Sequence, residues 1–315
     1  MIARRYKSYW YITVVLIVMC FFMPARAQVN DSTRLKFYET PLSYQPARGK
    51  AVAIGLSAGY AVTMGALYTA WYNDYPMTRF HTFNDNGEWL QMDKVGHAGS
   101  VYYLSRWTTG LIAWTGLPQK KSAYIGTATA WFFLLGIETF DGFSDQWGFS
   151  AGDMVANTFG AGLFLGQELA WSEQRITVKY SYHKDPIADV RPNIFGSTIT
   201  ENALKDYNGQ TYWMSVNLRA FRKTSAIPAW LNLAVGYGAG GMLTAEENGV
   251  TKEGLIDPGI RYRQFYLSPD IDWTKIKTRR AGLKLLFKAL NFVKIPAPAI
   301  EYRDNGKFAL HGFYF

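Results

Sequence analysis

A set of polar side chains interrupts apolar segments between residues 93 and 157, and their types suit proton transfer or metal binding. One imidazole combined with several carboxylates can relay protons or bind a hard-to-borderline divalent cation. The residues that are candidates for catalysis are His97, Glu138, Asp141 and Asp153. The residues expected to support this cluster are Asp93, Lys94, Arg106, Ser150 and Asn157.

Spacing along the chain places several of these side chains on common helix faces. Asp93 and His97 are four residues apart, as are Asp153 and Asn157, and residues four apart lie on the same side of a helix. Glu138 follows fifteen uncharged residues, so its carboxylate requires a partner or a proton if it is buried. Consecutive helices with short connections pack antiparallel, which predicts that the four catalytic candidates converge at one end of a bundle.

Most of these polar residues also have a structural explanation, whereas Glu138 and His97 are harder to explain in this way. Asp93 has the type and position of a helix N-cap, and Ser150 followed by Asp153 resembles a capping box. Asp141 precedes a glycine at a helix end, and Asn157 is suited to a hydrogen bond between helices. The rival to catalysis is therefore a satisfied polar network that fixes helix register, and the enzyme hypothesis is the weaker one.

The elements that position these residues fall into two halves with different hydrophobic periods. Long apolar segments predict helices over 51–72, 93–114, 122–140 and 150–171. Short alternating runs predict strands near 176–182, 211–221, 230–237, 259–267, 298–302 and 307–315, and an amphipathic helix over 279–293. The predicted fold class is α+β, with an N-terminal hydrophobic four-helix bundle and a C-terminal antiparallel β-sheet region.

The N-terminus has the three parts of a secretory signal peptide. A basic start is followed by the apolar run 9–23 and by Ala25-Arg26-Ala27, which predicts cleavage after residue 27. The predicted organisation is then a linker over 28–46, a four-helix hydrophobic domain over 47–174 and an antiparallel β region over 175–315. The alternative for the first segment is an uncleaved membrane anchor.

Cysteine usage and charge restrict the function further. Cys20 is the only cysteine and lies inside the predicted signal, so disulfides and thiol catalysis are excluded in the mature chain. Met19 precedes it where a lipoprotein site requires a small residue. Removing residues 1–27 reduces the net charge from +9 to +5, which favours anionic lipid surfaces and gives no argument for nucleic acid. No cofactor is expected, and whether a metal binds is left open.

Three ordered motifs resemble a known family. Asp93-Lys94-x-x-His97 is followed by Glu138-x-x-Asp141-Gly142 and by Gly148-Phe149-Ser150-x-x-Asp153-x-x-x-Asn157-x-x-Gly160. Together, over roughly residues 90–170, they resemble the YfiM-like predicted periplasmic lipoproteins, a family built on a domain of unknown function. A more distant similarity is to the VanZ-like membrane family. The first resemblance implies a location in the cell envelope and no particular reaction.

The functional prediction from sequence is an exported, membrane-associated envelope protein of a Gram-negative-type bacterium, with a structural, assembly or lipid-contact role. Membrane lipid is the expected partner, with envelope proteins as further partners. An aromatic content of 17% supports this view, because Trp and Tyr suit water–lipid boundaries. The first alternative is a membrane-embedded enzyme acting on a lipid-linked phosphate or glycan. The second alternative is an outer-membrane β-barrel.

Overall fold

The computed structural model describes residues 37, 39–72, 75–222, 226–247, 249–251 and 254–315. The predicted signal peptide and the first part of the predicted linker lie outside the described residues. Within them the chain is an α+β protein with long helices in its first half and one antiparallel sheet in its second half.

The first half contains four long helices. They are α1 (Pro46–Leu67), α2 (Met92–Ala113), α3 (Gln119–Asp141) and α4 (Ala151–Trp171), and a π-helical turn, Tyr68–Tyr72, extends α1. The helices α2, α3 and α4 pack together around Val101, Ala130, Leu134 and Ala161. Met64 is the one buried residue of α1. The predicted four-helix bundle is therefore not confirmed, because three helices form the core and α1 lies at its edge.

Small residues bring the three core helices into close contact. A Cβ atom added at Gly160 of α4 would lie 2.1 Å from the carbonyl oxygen of Ala98 in α2. A Cβ atom at Gly126 of α3 would lie 2.4 Å from the backbone nitrogen of Thr109. Gly162 of α4 has no heavy atom within 4 Å of an added Cβ. The close approach of helices thus depends on particular glycines and not on glycine content in general.

Two described helices are long and apolar enough to cross a membrane, judged by length and composition alone. In α1 the most apolar stretch has a mean hydropathy of 1.3 and is 6% buried. In α3 the corresponding values are 1.2 and 33%. A helix that is apolar on all sides is normally buried in protein or in lipid. Because α1 is so little buried, the protein itself does not supply the apolar surroundings that its composition suits.

The second half forms a six-stranded antiparallel sheet with the strands in sequence order. The strands are β1 (Ile176–Tyr182), β2 (Gln210–Val216), β3 (Leu231–Gly240), β4 (Tyr262–Ile271), β5 (Ala297–Arg303) and β6 (Phe308–Tyr314). All six strand predictions and the amphipathic helix are present, with ends shifted by up to five residues. The connections also contain short helices that periodicity did not predict.

Those short helices lie between the strands of the sheet. They are α5 (Ile187–Val190), α6 (Pro192–Phe195), α7 (Ile199–Lys205) and α8 (Leu218–Phe221), and the predicted amphipathic helix is α9 (Ala281–Leu290). Four of the five have seven residues or fewer, too few for a helical period to stand out in the sequence.

The inner face of the sheet is buried and carries charged and polar side chains beside an apolar cluster of Trp213, Ala234, Tyr266, Ala299 and Tyr314. Lys179 of β1 forms an ion pair of 2.7 Å with Asp270 of β4, and both side chains are fully buried. The Ser215 hydroxyl donates to the same Asp270 carboxylate over 2.6 Å, and Lys294 lies 4.0 Å from its other oxygen. A buried ion pair costs desolvation energy that such additional hydrogen bonds must offset.

The outer face of the sheet is apolar and exposed, the reverse of the usual arrangement of a water-soluble sheet. Burial alternates along β3 and β4, and the exposed positions carry the apolar side chains. Leu310 and Phe313 of β6 are 83% and 85% exposed. We call this set the outward face; its members are Met214, Leu233, Val235, Phe265, Leu267, Ile300, Tyr302, Phe308, Leu310 and Phe313.

The sheet curls around its polar interior. The backbone N–H of Tyr180 donates to the Phe292 carbonyl, and the backbone N–H of Lys294 donates to the Tyr180 carbonyl. The segment before β5 therefore pairs with the edge of β1 that faces away from β2. The Tyr314 hydroxyl of β6 lies 3.0 Å from the Thr211 hydroxyl of β2. Among the described strands β1 and β6 are not paired with each other, so the sheet is curved and open.

Gly160→Ala tests the close approach of α2 and α4. The added methyl group must displace the Ala98 carbonyl, and overpacking of this kind costs about 1–3 kcal/mol of unfolding free energy. Gly162→Ala is the matched control on the same helix, and there the better helix propensity of alanine should leave stability equal or slightly higher. Thermal denaturation in detergent measures both, and equal midpoints for the two variants would contradict the packing.

Candidate functional site

The sheet holds the start of α2 in an unusual conformation. Trp89, Leu90 and Gln91 have φ angles of 46°, 51° and 63°, in the left-handed region that non-glycine residues rarely adopt. The Tyr237 hydroxyl donates to the Leu90 carbonyl, and the Arg263 guanidinium donates to the Gln91 side chain over 2.7 Å. Strands β3 and β4 therefore fix the point at which α2 begins.

Four of the predicted polar residues converge where α2 begins, α3 ends and α4 begins. His97 Nε2 lies 3.6 Å from Glu138 Oε1, 3.8 Å from Asp93 Oδ1 and 3.9 Å from Asp153 Oδ2. We call these four residues the carboxylate–histidine cluster. The cluster forms because α3 runs antiparallel to α2 and brings Glu138 back to the level of His97.

Lys94 forms ion pairs with three carboxylates, two of which belong to the cluster. Its ammonium lies 2.7 Å from Asp85, 3.2 Å from Asp93 and 2.8 Å from Asp153. It contacts Asp93 Oδ2 and Asp153 Oδ1, so each of these carboxylates turns its other oxygen toward His97. Burial lowers the pKa of Lys94, but the neighbouring carboxylates outweigh it and the net pKa is raised.

Glu138 is the most buried acid of the cluster, with 1% of its side chain exposed. Its Oε2 accepts a hydrogen bond of 3.2 Å from the backbone nitrogen of Ser150, while its Oε1 accepts none from the described residues. Burial raises the pKa of Glu138 to about 8, although the neighbouring His97 partly opposes this shift. Burial of Glu138 therefore favours its protonated form.

His97 is oriented from the opposite side by an amide. Its Nδ1 lies 3.3 Å from the side-chain oxygen of Asn157, an atom that can only accept a hydrogen bond. Nδ1 is therefore the protonated nitrogen, and Nε2 faces the carboxylates. Burial lowers the pKa of His97, but Asp93, Asp153 and Glu138 outweigh it and raise the net value.

Asp141 lies beside the cluster and has a different partner. The Tyr72 hydroxyl, at the end of the π-helical turn, donates to Asp141 Oδ1 over 2.6 Å. Burial raises the pKa of Asp141 to about 6, while the Tyr72 hydrogen bond and His97 oppose the rise. This contact attaches the end of α1 to the same end of the bundle.

The structure decides between several roles that the sequence left open. Ser150 caps α4 by accepting a hydrogen bond of 3.1 Å from the backbone nitrogen of Asp153, as predicted. The N-cap role of Asp93 is wrong, because Gln91 is the N-cap of α2 and makes no side-chain cap. The Asp93 carboxylate instead accepts a hydrogen bond of 2.8 Å from Tyr207.

Arg106 was wrongly assigned to this cluster. It lies nine residues beyond His97, about 13 Å further along α2. There it lines a cavity of about 590 Å³ whose wall includes Glu168 and Asp272, and among the described residues its Nη1 has no hydrogen-bond partner. Spacing along a helix indicates which face of the helix a residue occupies. For two side chains to contact each other, they must also lie at the same height along the helix axis.

Three residues of the site were missed by sequence reasoning. Asp85 pairs with Lys94 and accepts a hydrogen bond of 2.6 Å from the Ser150 hydroxyl. Tyr207 reaches Asp93 from the loop before β2, and Tyr72 reaches Asp141. Asp85 lies in an Asn- and Gly-rich turn and carried a turn signal only. No local sequence pattern marked the two tyrosines as site residues, because their contacts join segments that are far apart in the chain.

An apolar groove of about 780 Å³ ends beside the cluster. It lies between α2, α4 and the outer face of β2 to β4, and its lining includes Ala98, Val155, Phe159, Leu163, Tyr212 and Val235. Lys94 lines the same groove, so one of the charged groups that bind the cluster's carboxylates also faces an apolar channel. The groove has the character needed for a hydrocarbon chain.

Comparison with known proteins gives one match. Residues 82–165 match the model of a family described as predicted periplasmic lipoprotein (DUF2279). The matched segment contains the whole carboxylate–histidine cluster, and the resemblance inferred over residues 90–170 is confirmed. The description agrees with an exported protein of the cell envelope and gives no reaction. No curated protein and no solved structure matches the chain.

The raised pKa of Glu138 predicts how Glu138→Gln changes the dependence of stability on pH. Folding holds a proton on this acid up to about pH 8, so its contribution to wild-type stability is lost as pH rises above the unfolded pKa near 4.5. Glutamine mimics the protonated acid at pH 5.5 and avoids a buried charge at pH 9. The variant's melting temperature should therefore rise relative to that of the wild type as pH increases.

Glu247→Gln, at an exposed position, is the control for this experiment and should follow the wild type throughout. Both proteins are measured with a chelator present, so that adventitious metal does not contribute. A Glu138→Gln variant that loses relative stability as pH rises would show that Glu138 is ionised and paired in the folded protein.

Proposed function

We propose that this chain is an exported envelope protein that attaches to a lipid membrane through the outward face of its sheet, with a structural, assembly or lipid-contact role. The observation that carries the proposal is the reversed burial of the sheet. Buried positions on β1 and β4 hold a lysine and an aspartate, while exposed positions on β3 to β6 are apolar. Apolar-out and polar-in alternation is the pattern of strands that face lipid.

Water is a poor environment for this surface. A monomeric soluble protein rarely exposes a continuous apolar patch of more than a few hundred Å². Here the exposed apolar positions continue across neighbouring strands, because Val235 on β3 lies opposite Leu267 on β4, which lies opposite Ile300 on β5. A lipid phase would remove all of these side chains from water together.

Lipid is favoured over one protein partner because apolar exposure is not confined to one side. Ile54 and Val62 of α1 are 69% and 60% exposed, and Phe132 of α3 is 62% exposed. The main contacts of α1 and α3 are with neighbouring helical elements and not with the sheet. A single partner covers one patch, whereas lipid contacts every apolar surface at the same depth.

A double substitution at Leu310 and Phe313, each to Asn, tests the lipid contact. Burying such a side chain is worth about 1.5–3 kcal/mol, and about 1.4 kcal/mol corresponds to a factor of ten in partitioning. The bound fraction in a vesicle flotation assay should therefore yield a partition coefficient at least about tenfold lower. Stability in detergent should stay close to wild type, because both side chains are exposed in the protein itself.

The matched control is a double substitution to Asn at Leu42 and Ile256, which are similarly exposed but lie off the sheet. It should float like the wild type. A wild-type protein that stays in the aqueous fraction, or equal losses in the two double variants, would rule out attachment through the outward face.

A second candidate is an enzyme acting on a lipid-linked phosphate or glycan. The observation that favours it is that Lys94 belongs both to the apolar groove and to the ion pairs of the cluster. A chain in the groove would bring its polar head to Lys94. This reading predicts that deletion of the gene changes the lipid profile by mass spectrometry and that Asp153→Asn fails to restore it. Full restoration by this variant would support the non-catalytic role.

A further inference from the structure

Ligand-capable atoms of Asp93, His97 and Asp153 lie within 4.8 Å of one another, and Glu138 Oε1 lies close to His97 Nε2. His97 Nε2 has three carboxylate oxygens at 3.6, 3.8 and 3.9 Å, all beyond hydrogen-bond distance. Ligand atoms around a tetrahedral ion at about 2.1 Å are about 3.4 Å apart. The three separations measured from His97 Nε2 exceed this value by only a few tenths of an ångström, which a bound ion could draw in.

Because of the orientation of His97, acceptor atoms face one another in the cluster. This arrangement is unfavourable unless a positive charge lies between them. Asn157 accepts from Nδ1, so the Nε2 lone pair of a neutral ring is directed at oxygens of Asp93, Glu138 and Asp153. Four acceptors facing one another repel unless a proton or a cation lies between them. A histidine that binds a metal through one nitrogen commonly donates its other N–H to an oxygen, as here.

A separate observation concerns Glu138. Its Oε1 atom is buried, accepts no hydrogen bond from the described residues and faces His97. A buried polar atom without a partner is rare in folded proteins and requires an explanation, such as an ion. Its other oxygen is already held by the Ser150 backbone, which fixes the direction of the free one.

The charge balance also favours a cation. When Glu138 gives up its proton to a bound cation, Asp85, Asp93, Glu138 and Asp153 bring four negative charges, and Lys94 supplies one positive charge. Lys94 contacts the outer oxygens of Asp93 and Asp153 and leaves the inner oxygens free. One divalent ion would offset two of the three remaining charges.

We propose that the carboxylate–histidine cluster binds one divalent first-row transition-metal ion of the zinc type. The ligands are His97 Nε2 and one carboxylate oxygen each of Asp93 and Asp153, and Glu138 Oε1 moves in to complete the set. Imidazole with carboxylates selects such ions over Mg²⁺ and Ca²⁺, which prefer larger sets of oxygen ligands. Asn157 and Lys94 are positioning residues that orient the histidine and the two aspartates.

The test uses Co²⁺ as a spectroscopic probe of the purified full chain in detergent after chelator treatment. The proposal predicts one Co²⁺ per chain, with a visible d–d absorption band that Zn²⁺ removes and that excess Mg²⁺ or Ca²⁺ leaves unchanged. No band, or displacement by Ca²⁺, would overturn it. The first result would mean that a protonated His97 fills the centre.

Substitutions locate the ion. His97→Ala and Asp153→Asn should abolish the band, while His81→Ala, which removes a histidine outside the cluster, should leave it unchanged. Asn157→Ala should weaken affinity by about 10–100-fold, as loss of an orienting partner does. Circular dichroism verifies folding, and if His97→Ala is unfolded, the isosteric Asp153→Asn gives the answer. Retention of the band in folded Asp153→Asn would place the ion elsewhere and overturn the proposal.

Discussion

The arrangement of the first half of the chain depends on one balance of buried charge. Carboxylates from α2, α3 and α4 lie around Lys94 and His97, and Asp85 joins them from a loop. Removing one partner from a buried charged group leaves the others uncompensated, which costs about 3–5 kcal/mol. Each helix is therefore fixed in register by charge at one end and by close packing at Gly160 and Gly126 along its length.

The same balance connects the helices to the sheet. Tyr207 donates to Asp93 from the loop before β2, and Arg263 of β4 holds Gln91 directly before α2. The sheet has its own buried charges in Lys179 and Asp270, with their polar neighbours. The described part of the molecule thus has two groups of buried charged side chains beneath apolar outer surfaces. This distribution is the physical basis for the proposed contact with lipid, where unpaired polar groups are far more costly than exposed leucines.

Much of the architecture was predictable because periodicity is local. The helices and strands follow apolar spacing, and the approach of His97 to Glu138 follows from antiparallel helices with short connections. Alternation in β3 predicted one apolar face but not which side of the sheet it would occupy. The common rule places the apolar face inside, and here it lies outside. The buried polar residues of neighbouring strands determine which face of the sheet lies inside. Their positions relative to β3 become known only with the pairing register of the strands.

The remaining contacts of the site could not be predicted from the sequence, and the physical reason differs from residue to residue. Tyr72 and Tyr207 contact the site across 69 and 114 residues of chain, and no local pattern encodes such a meeting. Arg106 shares a helix with His97, but its environment is set by the loop that carries Asp272. Asp93 matched an N-cap by type, yet the left-handed segment before it starts the helix two residues earlier.

The most direct measurement of the central claim is the environment of the outward face in a bilayer. With Cys20 replaced by serine, a single cysteine at Leu267 or Ile300 carries a nitroxide spin label, and Lys307 in the β5–β6 turn provides the comparison site. If the outward face contacts lipid, labels on the two sheet positions collide with oxygen dissolved in the lipid and are shielded from a water-soluble nickel reagent. The Lys307 label should show the reverse. Equal access of the nickel reagent to all three labels would show that the outward face of the sheet is in contact with water and not with lipid.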